Sequence, residues 1–291
     1  MPELAEVEFN RRQWDAGLRK RVARVELRPD KRIFRGVDAR RLRAGLANAA
    51  LLESRAHGKH LLFKFSGGWW LALHLGMSGR LRIEDRAFRP GRHDHLVLRQ
   101  RERSLVFCDP RLFGRVRAHQ GTLPPAWWRQ QPPSVADPAF TLSRMRAFLQ
   151  RRWRLRLKAA LLAQDGFPGI GNWMADEILW RAALHPLLPA GRVNEAQQRR
   201  LWRQIRWVSR RALEVIGRHG AEPPKGWLFH ERWSDRGICP RHKTPLRRAA
   251  VGGRTTAWCE DCQPPGPSPS PGVPAPPGAV TGSAVEPRRC R

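Results

Sequence analysis

Four candidate metal ligands stand in two pairs near the carboxyl end, Cys239-x2-His242 and Cys259-x2-Cys262. Two such pairs, each on a tight turn, can meet at one tetrahedral Zn²⁺ when a hairpin joins them. The sixteen residues between the pairs include Gly252-Gly253 for the turn and a β-prone run at 255–258 for a returning strand. The spacing therefore predicts a two-stranded zinc ribbon, in which His242 is either the fourth ligand or a bystander.

The charge of the chain is strongly one-sided. Lys and Arg number 55 against 25 Asp and Glu, which gives a formal net charge of +30. Cations beside phosphates gain affinity by releasing condensed counterions, so this excess indicates a polyanionic partner, most simply nucleic acid. Only seven of the 55 are Lys. A GC-rich genome would explain that preference for Arg, but it would not explain the scarcity of acidic residues.

Composition and patterning exclude several classes of protein. No apolar run approaches the ~18–20 residues of a membrane span. Residues 1–10 contain three Glu and no apolar core, so we expect no secretory signal. Five Cys, three of them within 239–262, do not form a secreted disulfide framework. We therefore expect a cytoplasmic, nucleoid-associated protein, and its 41% hydrophobic residues suffice for a sizeable core.

The character of the chain changes near its middle. Residues 22–117 form short strand-like runs separated by turn formers, which is typical of a β-sandwich or barrel. A Pro- and Trp-rich connector follows at 123–138. Residues 141–164 and 194–217 have helical periodicity. The last 28 residues, 264–291, contain nine prolines, and that composition predicts a disordered tail.

The amino terminus carries a candidate nucleophile. Removal of Met1 would leave Pro2 as a free secondary amine, and an α-amino group titrates at roughly 7.7–8.0, well below Lys. Its unprotonated form can form an iminium with a sugar C1′ or another carbonyl-like carbon, and Glu3 and Glu6 could transfer protons. Many proteins begin Met-Pro, so this start alone does not establish catalysis. The segment 3–18 has apolar spacing that would suit a helix.

Two further segments could bind phosphate. Residues 164–172 form a Gly- and Pro-rich turn, whose free backbone N–H groups could hold a phosphate together with the Asn172 side chain. An ordinary helix–helix loop has the same composition. Lys59 lies in a turn between strands, and its retention in a chain that prefers Arg hints that a primary amine is needed. A lone Lys in a turn is also commonly a solvated charge.

Eight short blocks follow one another along the chain. They are PELAEVE (2–8), GKHLL (58–62), HLGMSG (74–79), HDH (93–95), DPRLFG (109–114), PGIGN (168–172), DEIL (176–179) and GGRTT (252–256). Each block alone is weak evidence. Together and in this order they resemble the formamidopyrimidine-DNA glycosylase/endonuclease VIII family of base-excision repair enzymes, from residue 2 to about residue 263. Met77, Arg111 and Phe113 favour the formamidopyrimidine branch.

The resemblance implies an α+β multidomain fold. Its expected parts are an N-terminal β-sandwich domain with an N-terminal helix (2–122), a linker (123–140), a helical domain with a helix–two-turn–helix element (141–226), a zinc finger (227–263) and the Pro-rich tail (264–291). One structural Zn²⁺ would be held by Cys239, His242, Cys259 and Cys262. Damaged duplex DNA would lie in the cleft between the two large domains, and we expect a monomer with no membrane partner.

The resemblance also implies roles for individual side chains. The catalytic residues would be Pro2 as the nucleophile at C1′, Glu3 as the general acid/base and Lys59 at a phosphate beside the lesion. The residues that hold the DNA backbone around the extruded nucleotide would be Asn172 and Arg254. Those that fill the gap left in the duplex would be Met77, Arg111 and Phe113. Further DNA contacts would be made by His93 and Lys158.

The implied activity is that of a bifunctional DNA glycosylase and apurinic/apyrimidinic lyase, which works through a Pro2 iminium and cleaves by β,δ-elimination. The alternatives are an endonuclease VIII-like enzyme for oxidised pyrimidines, hydantoins or abasic sites, and a non-catalytic DNA-binding protein. The chain departs from the family pattern at Ala5, His242 and Met174, and its segment 217–239 is short and lacks the stretch that can cover an extruded 8-oxoguanine. We therefore expect poorer processing of 8-oxoguanine than of ring-opened purines, hydantoins and abasic sites.

Overall fold

The computed structural model describes residues 1–265. Nearly all of the tail predicted at 264–291 lies outside the described residues, so that prediction stays untested. Within residues 1–265, no helix is both long enough and apolar enough to cross a membrane.

Two four-stranded antiparallel sheets make up the N-terminal half. Their strands are β1 (Arg24–Leu27), β2 (Leu51–His57), β3 (His60–Phe65), β4 (Trp69–His74), β5 (Arg80–Asp85), β6 (Asp94–Arg99), β7 (Arg103–Cys108) and β8 (Arg115–Gln120). The strand orders are β1-β6-β7-β5 and β2-β3-β4-β8. Side chains from both sheets, among them Phe63 and Phe107, share one fully buried core. The expected β-sandwich is confirmed.

A helix that the sequence patterns did not predict lies against the sandwich. Helix α2 (Ala39–Leu46) begins after Asp38, whose carboxylate accepts the N–H of Arg41 at 2.9 Å. Its only apolar anchors in the core are Leu42 and Leu46, both fully buried. Two buried leucines four residues apart cover only one turn of a helix, and such a short apolar pattern does not identify a helix from the sequence.

Helices dominate the second half of the described chain. They are α3 (Ala126–Arg129), α4 (Leu142–Arg151), α5 (Leu157–Leu162), α6 (Asn172–Arg181) and α7 (Glu195–Ala212), and α7 continues into a π-helical segment, Leu213–Arg218. The helical periodicity at 141–164 is divided between α4 and α5. The division falls at residues 152–156, where arginines alternate with Trp153 and Leu155 and no apolar stripe at helical spacing continues from α4.

The N-terminal helix joins the two halves. Helix α1 (Leu4–Gln13) places Leu4 and Ala5 in the core of the helical half, and it places Val7 in the core of the sandwich. Because its first turn is buried on both sides, residues 2–3 are held at the junction of the two domains.

The predicted ribbon is present after the helices. Strands β9 (Arg247–Val251) and β10 (Arg254–Trp258) pair antiparallel around Gly252 and Gly253. These two glycines have φ of +59° and +71°, a conformation that favours glycine in a tight turn. The ribbon shares a small core with Trp180 of α6 and with Leu228, so it is fixed to the helical half.

Candidate functional site

Two turns from distant parts of the chain meet the start of α1. The backbone N–H of Leu4 donates to the carbonyl oxygen of Gly169 at 3.0 Å. Gly58 has φ +56°, and a Cβ built there would lie 3.2 Å from Pro168 Cβ. The turn that carries Lys59 therefore touches the turn before α6, next to the amino terminus.

Glu3 is the centre of this junction. It is 2% exposed, and its carboxylate accepts backbone N–H groups from Gly171 at 2.9 Å, Trp173 at 2.9 Å and Met174 at 3.1 Å. A Cβ on Gly171 would lie 2.2 Å from Glu3 Cδ, so only glycine leaves room for the carboxylate. The free N–H groups at the start of a helix favour an anion. The expectation that these amides would hold a phosphate is wrong for these three, because Glu3 occupies them.

The charges at this junction influence one another. Burial and, after it, the charge of Glu6 raise the pKa of Glu3 to about 7, and Lys59 and the helix amides oppose that shift. The pKa of Lys59 is lowered by burial and by the charge of Arg254, while Glu3 acts in the opposite direction. Lys59 therefore shares its electrostatic environment with Glu3 and Arg254, and the partly buried Pro2 precedes Glu3 in the chain. A carboxyl group that titrates near neutral pH can both give and take a proton.

A hydrogen bond connects the first residue of α6 to strand β10 of the ribbon. The Asn172 side-chain amide donates from Nδ2 to the carbonyl oxygen of Thr255 at 2.9 Å. Thr255 follows Arg254 on β10, so Asn172 contacts the strand at the residue next to Arg254, the other residue predicted to hold the DNA backbone.

Lys158 lies beneath this surface. It is 0% exposed, its Nζ is paired with Asp176, and it donates to the carbonyl oxygen of Asn172 at 2.6 Å. Arg232, 2% exposed, donates to Asp176 Oδ2 at 2.9 and 2.7 Å and to the carbonyl oxygen of Thr255 at 3.3 Å. A fully buried ammonium cannot reach a phosphate, so the prediction that Lys158 contacts DNA is wrong. Lys158 instead helps to hold Asn172 and β10 in place.

A second group of predicted residues lies on two turns of the sandwich. Met77 and Phe113 are 38% and 47% exposed although both are large and apolar. A Cβ on Gly76 would lie 2.3 Å from the carbonyl carbon of Phe113, so the two turns touch. The Arg111 guanidinium lies 5.1 Å from the centre of the Phe113 ring. Two apolar side chains and one cation are thus presented together to solvent.

Asp109 holds this second group together. Its fully buried carboxylate accepts Ser78 Oγ at 2.7 Å, the N–H of Arg111 at 3.3 Å and the N–H of Gly114 at 2.6 Å. The N–H of Asp109 in turn donates to the carbonyl oxygen of His93 at 3.0 Å. His93 therefore lies next to the turn that carries Arg111, and its ring accepts a hydrogen bond from Arg92 Nε at 2.7 Å.

Sequence reasoning missed the residues that position the site. Asp176 and Arg232 anchor Asn172 and β10, and Arg32 lies 4.6 Å from the Phe113 ring centre while donating to the carbonyl oxygens of residues 111 and 112. Asp176 gave a usable signal, since it is an acidic residue in the largely apolar run 173–180. Arg32 and Arg232 could not be distinguished from the many surface arginines.

The four predicted metal ligands converge. The ligand atoms of Cys239, His242, Cys259 and Cys262 all lie within 4.8 Å of one another. Cys239 Sγ and Cys262 Sγ are 3.7 Å apart, and His242 Nδ1 is 3.6 Å from Cys259 Sγ and 3.5 Å from Cys262 Sγ. Tetrahedral zinc with ordinary bond lengths requires edges of about 3.8 Å between sulfurs and about 3.6 Å between sulfur and nitrogen. These three distances fit that geometry, and two of them involve His242 Nδ1.

Two family models match the chain. One, described as the formamidopyrimidine-DNA glycosylase N-terminal domain, matches residues 1–116, and one described as the formamidopyrimidine-DNA glycosylase H2TH domain matches residues 132–221. The formamidopyrimidine-DNA glycosylase of Thermus thermophilus is 37% identical, over 92% of this chain and 100% of that protein. The enzyme of the same name from Solibacter usitatus is 33% identical, over 90% of this chain and 99% of that protein.

Solved structures agree with the family models. The chain is similar to a MutM protein in complex with carbocyclic 8-oxo-G containing DNA, with a TM-score of 0.81 and 25% identity over 91% of this chain and 100% of that one. It is also similar to the Lactococcus lactis Fpg protein in complex with abasic site containing DNA, with a TM-score of 0.79 and 25% identity. That match covers 90% of this chain and 100% of the Fpg chain. The MutM protein of Thermus thermophilus gives a TM-score of 0.74 and 32% identity, over 91% of this chain and 100% of that protein.

Proposed function

This chain belongs to the formamidopyrimidine-DNA glycosylase family, and we propose that it removes oxidised or ring-opened bases from duplex DNA and cleaves the strand as an apurinic/apyrimidinic lyase. The duplex would lie between the sandwich domain (2–122) and the helical domain (141–226), and the enzyme would act as a monomer. The observation that carries the proposal is the buried Glu3, whose pKa is raised to about 7 directly beside Pro2.

Base displacement would begin at the Pro2 amine once Met1 is removed. The nitrogen lone pair attacks C1′ of the damaged nucleotide, and the bond between C1′ and the base breaks with its electron pair leaving on the base, which takes up a proton. The C1′–O4′ bond then opens. Glu3 donates its proton to O4′, the Pro2 nitrogen loses its own proton, and a C1′ iminium is formed.

Strand cleavage would follow by two eliminations. The iminium acidifies the proton on C2′, and Glu3, now a carboxylate, is a suitable acceptor for it. Loss of that proton expels the 3′ phosphate, and a second proton loss at C4′ expels the 5′ phosphate. Lys59 would hold the phosphate beside the lesion, and Asn172 and Arg254 would hold the flanking backbone. Water then hydrolyses the iminium and frees Pro2.

The exposed group on the sandwich would support the opened duplex. Extruding a nucleotide costs a few kcal/mol of stacking and pairing. Met77 and Phe113 would enter the vacated space as apolar wedges, and Arg111 would face the unpaired base. His93 would add a contact from the neighbouring turn.

Zinc would complete the ribbon. Cys239, His242, Cys259 and Cys262 have the geometry to hold one Zn²⁺, which would supply folding energy to a hairpin too small to stand on apolar burial alone. Its role is structural, since all four positions of a tetrahedral ion would be filled by protein atoms. The metal would thereby fix Arg254, which lies on β10.

The segment Gly217–Cys239 bears on which lesion is handled. Two of its aromatic residues pack against the helical half, with Phe229 5.3 Å from Trp173 between ring centres and Trp227 only 3% exposed. Arg232 of the same segment is committed to Asp176. Side chains used in this way cannot cover an extruded base. We therefore propose that ring-opened formamidopyrimidines, hydantoins and abasic sites are processed well and 8-oxoguanine poorly.

Covalent trapping tests the nucleophile. Borohydride reduction with an abasic duplex should link protein to DNA, and Pro2→Gly should suppress both the linkage and strand cleavage. A matched control keeps Pro2 but blocks its amine with one additional, uncleaved N-terminal residue, and it should lose the linkage as well. Undiminished trapping in either protein would refute Pro2 as the nucleophile.

Lesion preference is tested by single-turnover excision on matched duplexes that carry each lesion opposite cytosine. Each lost hydrogen bond to the base is worth roughly 0.5–1.5 kcal/mol, or about two- to tenfold in rate. Excision of 8-oxoguanine as fast as the ring-opened purine would contradict the proposed preference.

A further inference from the structure

A groove of about 930 Å³ runs along α7. Six residues of α7 line it, namely Trp202, Arg203, Arg206, Trp207, Arg210 and Arg211, and the start of α4 forms the opposite wall. None of the lining residues is one of the proposed catalytic, DNA-contacting or metal-binding residues. The groove is therefore a separate feature of the helical half, and its volume is at the upper end of the ~300–1,000 Å³ typical of ligand sites.

The charge of the groove is positive. Four arginines line it, against one acid, Glu214, which pairs with Arg211 at 2.7 Å. Arg206 donates to the carbonyl oxygen of Asp137 at 2.8 Å, and its pKa is lowered by partial burial and by nearby Arg210. Like charges held this close repel one another, so an anion bound between them would be stabilised.

Two indole rings are fixed between these cations. Trp202 donates from Nε1 to the carbonyl oxygen of Phe140 at 3.0 Å. Trp207 is 45% exposed, although the Arg181 guanidinium lies 4.4 Å from its ring centre and Trp227 lies 5.6 Å away. Residues three and four apart are neighbours on a helix, so the tryptophans and arginines of α7 interleave along the groove.

We propose that this groove binds single-stranded DNA, as a second nucleic-acid site independent of the catalytic cleft. Cations that contact phosphates, interleaved with flat aromatic side chains on which unpaired bases stack, are what binding of a single strand requires. A duplex would satisfy the arginines but keeps its bases stacked on one another. An acidic peptide would also pair with the arginines but offers no planar group to the exposed Trp207.

The test uses the full chain with its cleft saturated by an unlabelled duplex that carries a stable abasic analogue. A dye-labelled oligothymidylate should still bind, as measured by fluorescence anisotropy. Arg203→Ser combined with Arg210→Ser should reduce the salt slope of that binding by about 1.4, since each single-strand phosphate contact contributes about 0.7. Trp207→Ala should weaken binding about tenfold through lost stacking.

A charge-matched control separates the groove from general electrostatics. Arg86→Ser combined with Arg89→Ser removes two exposed arginines from the sandwich and should leave oligothymidylate binding unchanged. Trp207→Ala also removes the contact with Arg181, so a loss of binding in that variant could reflect a structural change. The variant with Arg203→Ser and Arg210→Ser is therefore the decisive one, and it should retain the unfolding midpoint and the lesion-excision rate of the native chain. Unchanged excision in that variant keeps the test of the groove separate from the test of the proposed catalytic function.

Three outcomes would overturn the proposal. One is displacement of the oligothymidylate by the abasic duplex, which would place the single strand in the catalytic cleft. Another is equal weakening by the control pair on the sandwich. The third is binding of a polyglutamate peptide as tightly as the oligothymidylate and in competition with it, which would identify the groove as a site for an acidic protein.

Discussion

Replacing Asp176 with Asn should destabilise the protein strongly. The native carboxylate pairs with Lys158 through Oδ1, accepts two bonds from Arg232 at Oδ2 and a further one from the N–H of Ala257 at 3.3 Å. Asn has nearly the same shape but no charge, and its NH₂ group would face donors. Two cations that are 0% and 2% exposed would lose their common counter-charge.

The size of the effect follows from that burial. Breaking a buried ion pair by removing one partner costs about 3–5 kcal/mol, because the remaining charge has neither water nor a partner. The pKa of Lys158 is already lowered by burial, with Asp176 opposing that shift. Loss of Asp176 would let Lys158 release its proton, which places the expected cost toward the lower end. At about 2–4 °C per kcal/mol, the unfolding midpoint should fall by about 6–12 °C.

Urea unfolding near neutral pH measures the change in free energy and thermal unfolding measures the shift of the midpoint, with Asp165→Asn as the matched control. Asp165 pairs with Arg152 at 2.9 Å on the surface, where the two side chains are 59% and 51% exposed. An exposed pair of this kind is worth at most about 1 kcal/mol. If Asp176→Asn costs no more than the Asp165 variant, the reasoning that the buried network holds this junction together is refuted.

Three further predictions concern single residues. Since the pKa of Glu3 is raised from 4.5 to about 7, the native chain loses stability from this group as pH rises between those values. Gln does not titrate, so the free energy of unfolding of Glu3→Gln minus that of the native chain should increase by about 3 kcal/mol from about pH 4.5 to pH 8, as measured by urea unfolding. A difference that does not change with pH would contradict the raised pKa. Gly76 has φ +62°, and a Cβ at this position would clash with residue 113, so Gly76→Ala should cost at least about 1–2 kcal/mol of stability. The same change should lower the affinity for a lesion duplex in an anisotropy titration. Unchanged affinity would show that this turn does not contribute to DNA binding. His242→Ala should reduce bound zinc, measured by metal analysis, to a fraction of the about one ion per chain expected for the native protein, whereas full retention would remove His242 from the ligand set.

Local patterns predicted the parts of the site that local geometry controls. The Cys-x2-His and Cys-x2-Cys spacing, with Gly252-Gly253 between the pairs, predicted a hairpin whose four ligand atoms do converge. The blocks at 74–79 and 109–114 singled out Met77, Arg111 and Phe113 through the family resemblance, and the structure shows these residues on two turns that are in contact. Tight turns and metal knuckles depend on residues within a few positions of one another, so spacing in the sequence is enough to identify them.

The partners of buried charges depended on the tertiary structure. Lys158 is one more cation in a chain of charge +30, and sequence reasoning assigned it to DNA. Its burial depends on Asp176, which is 18 residues away, and on Arg232, which is 56 residues from Asp176. The amides at the start of α6 looked free for a phosphate, but Glu3 fills them from 168 residues away. A buried charge is stabilised by whichever groups the packing of the whole chain brings to it, and spacing along the sequence carries no record of such long-range encounters.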